Sequence, residues 1–184
     1  MMTASPALTV PELSSGLVLP DMLRTTMRRH GAGVAVITTR DTDGPVGFCA
    51  TSLTSVSLDP PTVSFAVAIG STSGQAWERT GHGIIHLLRS DQAAVASNFA
   101  RSGPDKFDAI GWRWGPNAQP LLDHVLAWML VSTRIRVAVG DHLLIVCDVR
   151  EVAVPSRAGL DAGPDAGPLI HHNGRFHGLA ALPQ

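Results

Sequence analysis

The chain has 184 residues, of which 45% are hydrophobic and 16% are charged, and its formal net charge at pH 7 is −1. This length and composition predict one folded domain with a sizeable core, and they exclude an intrinsically disordered chain. The near-neutral charge excludes a broad basic surface for nucleic acid or an anionic membrane, although backbone amides can still bind a small anion.

Two cysteines, Cys49 and Cys147, lie in apolar, strand-like segments. Two such residues do not form a disulfide framework, so we expect buried free thiols, as in a reducing cytoplasm. The first residues lack the basic and apolar regions of a signal peptide, and no run of about 20 apolar residues predicts a membrane-spanning helix. We therefore expect a cytoplasmic protein without a membrane partner.

Residues 1–19, rich in Ser, Pro and Thr, are predicted to be a flexible tail, followed by the predicted domain, residues 20–180. Asp21 is predicted to cap a helix that ends before Gly31. The segment GVAVITT that follows is rich in β-branched residues and predicts a strand.

Residues 62–69, TVSFAVAI, alternate large and small side chains with a period of two. Val63, Phe65, Val67 and Ile69 are predicted to face a packed interior, while the small residues face closely packed backbone. A short helix, a strand at IIHLL and a second helix capped by Asp91 are predicted next.

Two long apolar segments, residues 124–139 and 142–154, are separated by Gly140 and Asp141, which predicts a hairpin. The order of elements is one helix, several strands, two short helices and more strands. This order argues against a doubly wound βαβ sheet. It predicts a mainly β protein, an antiparallel barrel with helices on its outside.

The histidines offer two candidate sites. His82 and His86 lie four residues apart on one face of a strand, but no cysteine or carboxylate completes a zinc ligand set, so we predict no metal site. His142 follows the hairpin turn and lies at the predicted barrel rim, either as a solvent-facing turn residue or as a functional imidazole.

Two segments concentrate small hydroxyl side chains. The segment GFCATSLTSVSLDPP, residues 47–61, is either a surface turn or a loop that binds an anion. The segment GSTSG, residues 70–74, opens a helix, where hydroxyls cap the first turn or bind phosphate, and these two uses are compatible. The hydroxyl residues of the two segments are Thr51, Ser52, Thr54, Ser55, Ser57, Ser71, Thr72 and Ser73.

From about Met22 to Gly178, the chain resembles the flavin reductase family with an FMN-binding split barrel, the small reductase component of two-component flavin monooxygenases. The segments that carry the resemblance stand in the family's order. They are GVAVITT, GFCATSLTSVSLDPP, GIIHLLRSDQ, DKFDAIGWRWGPNAQPLLDHVLAWML, the tripeptide GDH and PLIHHNGRF. The resemblance implies an antiparallel split β-barrel that binds a flavin.

The resemblance also implies the site residues. Those expected to line the flavin ring and ribityl chain are Ala50, Thr51, Ser52, Ser55 and Ser57. Ser71 and Ser73 are expected near the phosphate. His142 is expected beside the nicotinamide and the isoalloxazine, as the catalytic residue. Further family contact positions are occupied here by Cys49, Thr72, His86, His171 and Phe176.

This chain departs from the family pattern at several of these positions. Thr51 stands in place of an asparagine, and Thr72 in place of an arginine or lysine at the phosphate end. A charge-assisted bond contributes about 1.5–3 kcal/mol, so its loss weakens flavin binding roughly ten- to a hundredfold. Arg79 and Arg89 are the candidates to replace that charge.

The leading hypothesis for the function is an NAD(P)H:flavin oxidoreductase. Hydride would pass from NADH or NADPH to FMN or FAD, and reduced flavin would serve a partner monooxygenase. The resemblance further implies a homodimer. Two alternatives remain open at this level: a repurposed split-barrel enzyme in a biosynthetic pathway, and a non-catalytic accessory or binding protein.

Overall fold

The computed structural model describes residues 18–103, 105–154 and 167–179. The helices are α1 (Pro20–Met27), α2 (Thr72–Thr80) and α3 (Ala93–Ala100), and a 3-10 turn spans Pro116–Ala118. The strands are β1 (Ala32–Gly33), β2 (Ala35–Asp41), β3 (Gly44–Ala50), β4 (Thr54–Leu58), β5 (Pro61–Ala68), β6 (His82–Leu87), β7 (Trp112–Trp114), β8 (Pro120–Leu122), β9 (Ala127–Val139), β10 (His142–Ala153), β11 (Leu169–His172) and β12 (Arg175–Gly178). The predicted mainly β class is confirmed, and most of the predicted tail, residues 1–17, lies outside the described residues.

The main sheet has seven antiparallel strands in the order β3-β2-β6-β9-β10-β5-β4. Although β3 is an edge strand and β5 lies near the opposite edge, the rings of Phe48 and Phe65 pack with centroids 6.0 Å apart. One apolar cluster takes buried residues from β2, β3, β5, β6, β9 and β10. The sheet therefore curls around a single interior, as a split barrel requires.

The alternation in β5 decides which side chains enter this interior. Val63, Phe65 and Val67 are buried, as the period of two predicts. The prediction is wrong for Ile69, which is 47% exposed. The strand ends at Ala68, and the backbone then turns through Gly70, whose φ is +79°, so Ile69 no longer follows the alternation.

Helix α2 closes one end of the interior through Trp77. This ring is fully buried, packs edge-on to Phe65 with centroids 5.0 Å apart, and donates from Nε1 to the Thr133 hydroxyl at 2.9 Å. Gly83 permits the close packing, because a Cβ at this position would lie 2.8 Å from the Trp77 ring and 2.1 Å from the Thr38 carbonyl oxygen. Helix and sheet therefore meet with no space for a side chain at residue 83.

A second apolar cluster fills the space between α3 and the outer side of the sheet. Its buried members include Val34 and Val36 from the β2 region and Phe99 from α3, and Phe176 of β12 packs against it. The β11–β12 hairpin reaches this position by pairing with β1, where Ala32 lies opposite His171. This cluster fixes α3 and the C-terminal hairpin on one side of the barrel.

Both predicted aspartate caps are wrong. Helix α1 begins at Pro20 without a side-chain cap, and Asp21 in the first turn pairs with Arg24 in the last turn. Helix α3 begins at Ala93 without a side-chain cap, and Asp91 binds Arg89. In each case a nearby guanidinium takes the carboxylate in place of the backbone amides, and a hydrogen bond between two ions adds an opposite charge that an amide lacks.

The predicted β9–β10 hairpin is confirmed. Val139 lies opposite His142, and Gly140 in the turn has a φ of +58°, which glycine adopts without steric conflict. No helix among the described residues is long and apolar enough to cross a membrane.

Candidate functional site

The hydroxyl-rich segment lies where β3 ends, crosses to the other sheet edge and becomes β4. Ala50 is buried in the interior, whereas Thr51, Ser52 and Ser55 are exposed. The Ser52 hydroxyl accepts a hydrogen bond from the Ala66 amide at 2.9 Å, which ties this crossing to β5. The crossing therefore presents a set of small hydroxyls to solvent on a fixed backbone.

Ser57 lies away from this crossing, at the far end of β4. Its hydroxyl accepts a hydrogen bond from the Asp59 amide at 3.2 Å, so it stabilises the turn before β5. The structure thus separates Ser57 from the hydroxyls near Ser52 by the length of the strand. Its predicted contact with flavin stays a prediction.

The start of α2 reaches the same region from the other side. Ser71 caps the helix, because its hydroxyl accepts from the Gly74 amide at 3.0 Å, so the capping prediction is confirmed. The Ser73 hydroxyl donates to the Gly47 carbonyl at 3.3 Å and joins the helix to β3. Thr72, between them, is exposed. A helix start leaves its first amides without intrahelical partners, so this end of α2 can donate to an anion.

His142 lies at this end of the barrel as well. It pairs with Ala68 at the end of β5, and the Ile69 amide donates to the Asp141 carbonyl at 2.9 Å. The ring Nδ1 lies 2.7 Å from the Asp141 carboxylate, a contact that lowers the pKa of Asp141. Since the imidazole is 47% exposed, it is accessible to a ligand at the rim.

Cys49 faces outward from β3 and packs against the second apolar cluster. Burial raises the pKa of its thiol to about 11, an effect that the nearby Lys106 ammonium partly opposes. The thiol is therefore protonated at neutral pH and is not a nucleophile, and the predicted contact of Cys49 with a flavin stays a prediction.

Lys106 is a functional candidate that the sequence motifs did not single out. Its ammonium donates to the Gly47 carbonyl at 3.1 Å and to the Phe99 carbonyl at 3.3 Å. Burial, and then repulsion from Arg101, lowers its pKa. The signal that could have found it is composition, because the 14 lysine and arginine residues of this chain include one lysine.

The structure corrects the expectation that His86 contacts a cofactor. The ring is fully buried, Nδ1 lies 3.0 Å from the Val36 carbonyl oxygen, and Nε2 accepts from the Leu122 amide at 3.1 Å. Burial lowers the pKa of His86 to about 4. With both ring nitrogens bonded to backbone, this imidazole joins β2 to β8 and has no polar atom left for a ligand.

His171 and Phe176 belong to the β11–β12 hairpin, where their rings pack with centroids 5.6 Å apart. Phe176 and Cys49 both pack against the second apolar cluster, so the hairpin lies on the side of the barrel that Cys49 faces. Their contact with a flavin stays a prediction.

The two arginines expected to replace the missing phosphate charge are engaged elsewhere. Arg79 lies in the last turn of α2, opposite the end at Ser71, and forms a two-bond ion pair with Asp41. Arg89 binds Asp91 through Nε and an Nη atom at 3.1 and 2.6 Å. Neither guanidinium is at the α2 start.

A metal site at His82 and His86 is excluded by the geometry of His86. His82 itself contacts the Thr80 carbonyl oxygen through Nδ1 at 2.6 Å. Within the ranges that the structure describes, no three His, Cys, Asp or Glu side chains are grouped closely enough to hold a metal ion.

The model of the flavin reductase like domain matches residues 27–180. An NADH:FMN oxidoreductase from Rhodococcus qingshengii is 40% identical over 175 residues, covering 95% of this chain and 88% of the relative. The reductase subunit HsaB of a flavin-dependent monooxygenase from Rhodococcus jostii is 32% identical, covering 87% of this chain and 78% of the relative. The crystal structure of a flavin reductase domain protein from Arthrobacter matches with a TM-score of 0.80 and 32% identity over 90% of this chain and 99% of that one. The resemblance seen in the sequence motifs is thereby confirmed, and the chain belongs to the flavin reductase like family.

Proposed function

We propose that this protein is an NAD(P)H-dependent flavin reductase that transfers hydride to FMN or FAD and supplies reduced flavin to a partner monooxygenase. The observation that carries this proposal is that three features lie together at one end of the barrel: the segment between β3 and β4, the start of α2, and His142. Family membership supports it, since the similar Rhodococcus proteins are named as an NADH:FMN oxidoreductase and a monooxygenase reductase subunit.

The residues at this end fit a flavin. Exposed hydroxyls at Thr51, Ser52 and Ser55 can donate to the carbonyl oxygens of an isoalloxazine ring and to a ribityl chain. The first-turn amides of α2, near Thr72 and Ser73, suit a phosphate group. A bound flavin supplies the hydride-accepting chemistry itself, so the protein needs to bind and orient both nucleotides without an acid–base pair of its own.

His142 is proposed to orient the nicotinamide. Its Nδ1 faces the Asp141 carboxylate, which leaves Nε2 as the ring nitrogen available to a ligand. The partly exposed ring stands on a rigid hairpin, so it can define one wall of the site without taking part in proton transfer.

We also propose that the protein acts as a homodimer in the cytoplasm. Near its turn, the β9–β10 hairpin exposes four large apolar side chains: Ile135, Val137, Val139 and Leu144. We call this surface the hairpin face. An exposed apolar surface of this kind is typical of a protein–protein interface, and it lies on the hairpin that carries His142. Protonated free thiols at Cys49 and Cys147 suit a reducing compartment.

The test is aerobic oxidation of NADH or NADPH by the purified protein with FMN or FAD, followed at 340 nm. Continuous loss of absorbance at catalytic protein concentration is expected, and the cofactor pair with the highest kcat/KM identifies the preferred flavin and nicotinamide. His142→Ala is expected to raise the KM for the nicotinamide, whereas His30→Ala, at an exposed position after α1, serves as the matched control.

A flat trace with all four pairs would reject the reductase proposal. Co-purified flavin without NAD(P)H oxidation would then support a repurposed split-barrel enzyme, and no flavin binding would support an accessory protein. The changes at Thr51 and Thr72 are the observations that favour testing these alternatives.

A further inference from the structure

The phosphate end of the proposed flavin site needs a source of positive charge. The side chain at position 72 is a neutral threonine, and both arginines suggested by the sequence are paired with carboxylates elsewhere. A phosphate desolvated against neutral hydroxyls and amides is held less tightly than one that also meets a cation. A positive charge at this end must therefore come from a side chain other than those at positions 72, 79 and 89.

Lys106 and Ser73 converge on one atom. The Lys106 ammonium donates to the Gly47 carbonyl oxygen at 3.1 Å, and the Ser73 hydroxyl donates to the same oxygen at 3.3 Å. Two donors to one acceptor are necessarily close neighbours. The ammonium therefore lies beside the first turn of α2, although Lys106 follows Ser73 by 33 positions in the chain.

Contacts with α3 hold Lys106 in this position. Its ammonium also donates to the Phe99 carbonyl in the last helical turn, and the Asn98 side-chain amide donates to the Lys106 carbonyl. The Arg101 guanidinium bonds the Asn98 side chain at 2.8 Å and the Asp105 carbonyl at 3.3 Å. Backbone and side chain of residue 106 are thus both tied to α3.

The chemistry of the ammonium leaves capacity for a ligand. Lysine has three donors, and two of them are directed at the carbonyls of Gly47 and Phe99. Both partners are neutral, so the positive charge of Lys106 is not cancelled by these bonds. Among the residues that the structure describes, no carboxylate is bonded to Lys106 as Asp41 is to Arg79 and Asp91 is to Arg89.

The use of lysine at this one position is itself informative. Apart from its histidines, the other basic residues of the chain are all arginine. A guanidinium carries five donors in a rigid plane, whereas an ammonium is a compact charge that can bond two carbonyls and an anion from one atom. The two carbonyls that Lys106 bonds, those of Gly47 and Phe99, fit the compact ammonium group.

We propose that Lys106 supplies the cation that binds the flavin phosphate, in place of the side chain at position 72, while it fixes the Gly47 carbonyl against α3. This inference rests on the proposed function, because it assumes that a flavin occupies this end of the barrel. It adds a binding residue from the segment after α3 to a site otherwise built from β3, β4 and α2.

The decisive measurement compares FMN with riboflavin, which lacks the phosphate. Dissociation constants for the oxidised flavins are measured by fluorescence titration for the wild type, Lys106→Met, Lys106→Arg and the control Arg40→Met. Lys106→Met is expected to weaken FMN binding roughly ten- to a hundredfold and to leave riboflavin binding within about twofold. Lys106→Arg is expected to restore part of the FMN affinity. Arg40→Met removes a guanidinium that lies over the Trp114 ring, and this control is expected to bind both ligands as the wild type does.

An equal loss of affinity for FMN and riboflavin in Lys106→Met would show that Lys106 only supports the fold, and would overturn the proposal.

Because Lys106→Met is at risk of misfolding, a second measurement uses the wild type: reductive methylation of the single lysine, quantified by peptide mass spectrometry. FMN is expected to protect this ε-amine at least fivefold more than riboflavin does, and equal protection would also overturn the proposal. If wild type oxidises NAD(P)H with flavin but fails these comparisons, only the assignment of Lys106 is lost; if it neither binds nor reduces flavin, the proposed function fails as well.

Discussion

Acidification is expected to destabilise this fold through His86. In the folded chain, the neutral imidazole donates from Nδ1 to the Val36 carbonyl and accepts at Nε2 from the Leu122 amide. If Nε2 also took up a proton, its N–H would face the Leu122 N–H, so two donors would meet in a site closed to water. The structure therefore permits one tautomer and one charge state.

The size of the effect follows from the two pKa values. The pKa of His86 is lowered from 6.5 to about 4, chiefly by burial. The unfolded chain therefore binds this proton at a higher pH than the folded chain does. The contribution of His86 to the free energy of unfolding is fully present above pH 6.5 and is lost as the pH falls toward 4, by about 3 kcal/mol in total, since one pKa unit corresponds to about 1.4 kcal/mol.

The assay is urea unfolding at pH values from 7.5 to 4.5 for the wild type, His86→Asn and the exposed control His30→Ala. The asparagine amide can still donate to Val36 but leaves the Leu122 amide unbonded, so this variant is expected to lose about 1–3 kcal/mol at pH 7.5. It is also expected to lose less stability than the wild type between pH 6.5 and 4.5, because it cannot take up the proton. The control His30→Ala is expected to lose stability with falling pH as the wild type does. If the free energy of unfolding of His86→Asn fell in parallel with both, this reasoning would be refuted.

Three further outcomes are expected from separate features of the fold. Gly83→Ala should destabilise the protein by about 1–3 kcal/mol in thermal unfolding, because the added Cβ would lie 2.1 Å from the Thr38 carbonyl oxygen. The control Gly33→Ala, whose added Cβ would have no atom within 4 Å, should lower the stability much less. Equal losses of stability in the two variants would contradict this packing. Cys49 should react with iodoacetamide at pH 8 about a hundredfold more slowly than a thiol of pKa 9, and a rate equal to that of the unfolded chain would refute the buried, protonated thiol. Val137→Glu on the hairpin face should shift the molar mass measured by light scattering from dimer to monomer, and a monomeric wild type or an unchanged dimer would remove this face from the proposed interface.

The sequence predicted those features that depend on neighbouring residues. The burial of Val63, Phe65 and Val67 follows from the period of two in an extended chain, and the β9–β10 turn follows from the freedom of Gly140 to take a positive φ. The helix cap at Ser71 is equally local, since the hydroxyl bonds an amide three residues ahead. Short-range geometry decides each of these, so the pattern of residue types is sufficient.

Apart from Ile69, whose strand ends one residue earlier at Ala68, the predictions that failed depend on a choice between partners. Asp21 and Asp91 have the right chemistry for helix caps, but Arg24 and Arg89 take their carboxylates. His86 occupies a position that matches a family contact residue, yet the covering strand β8 supplies an amide to its ring. Composition cannot rank such partners, because their distances are set by how the elements pack.

The residues thus determined by themselves the mainly β class, the principal strands, the hairpin and the family to which the chain belongs. Only the tertiary structure decided which polar groups the barrel encloses and which it leaves at its open end. The sole lysine shows the physical reason most clearly, because Lys106 becomes a candidate for flavin binding only once α3 and the start of α2 bring it and Ser73 to the same carbonyl of Gly47. The meeting of charges and carbonyls from distant segments is a property of the packed chain, and no local pattern encodes it.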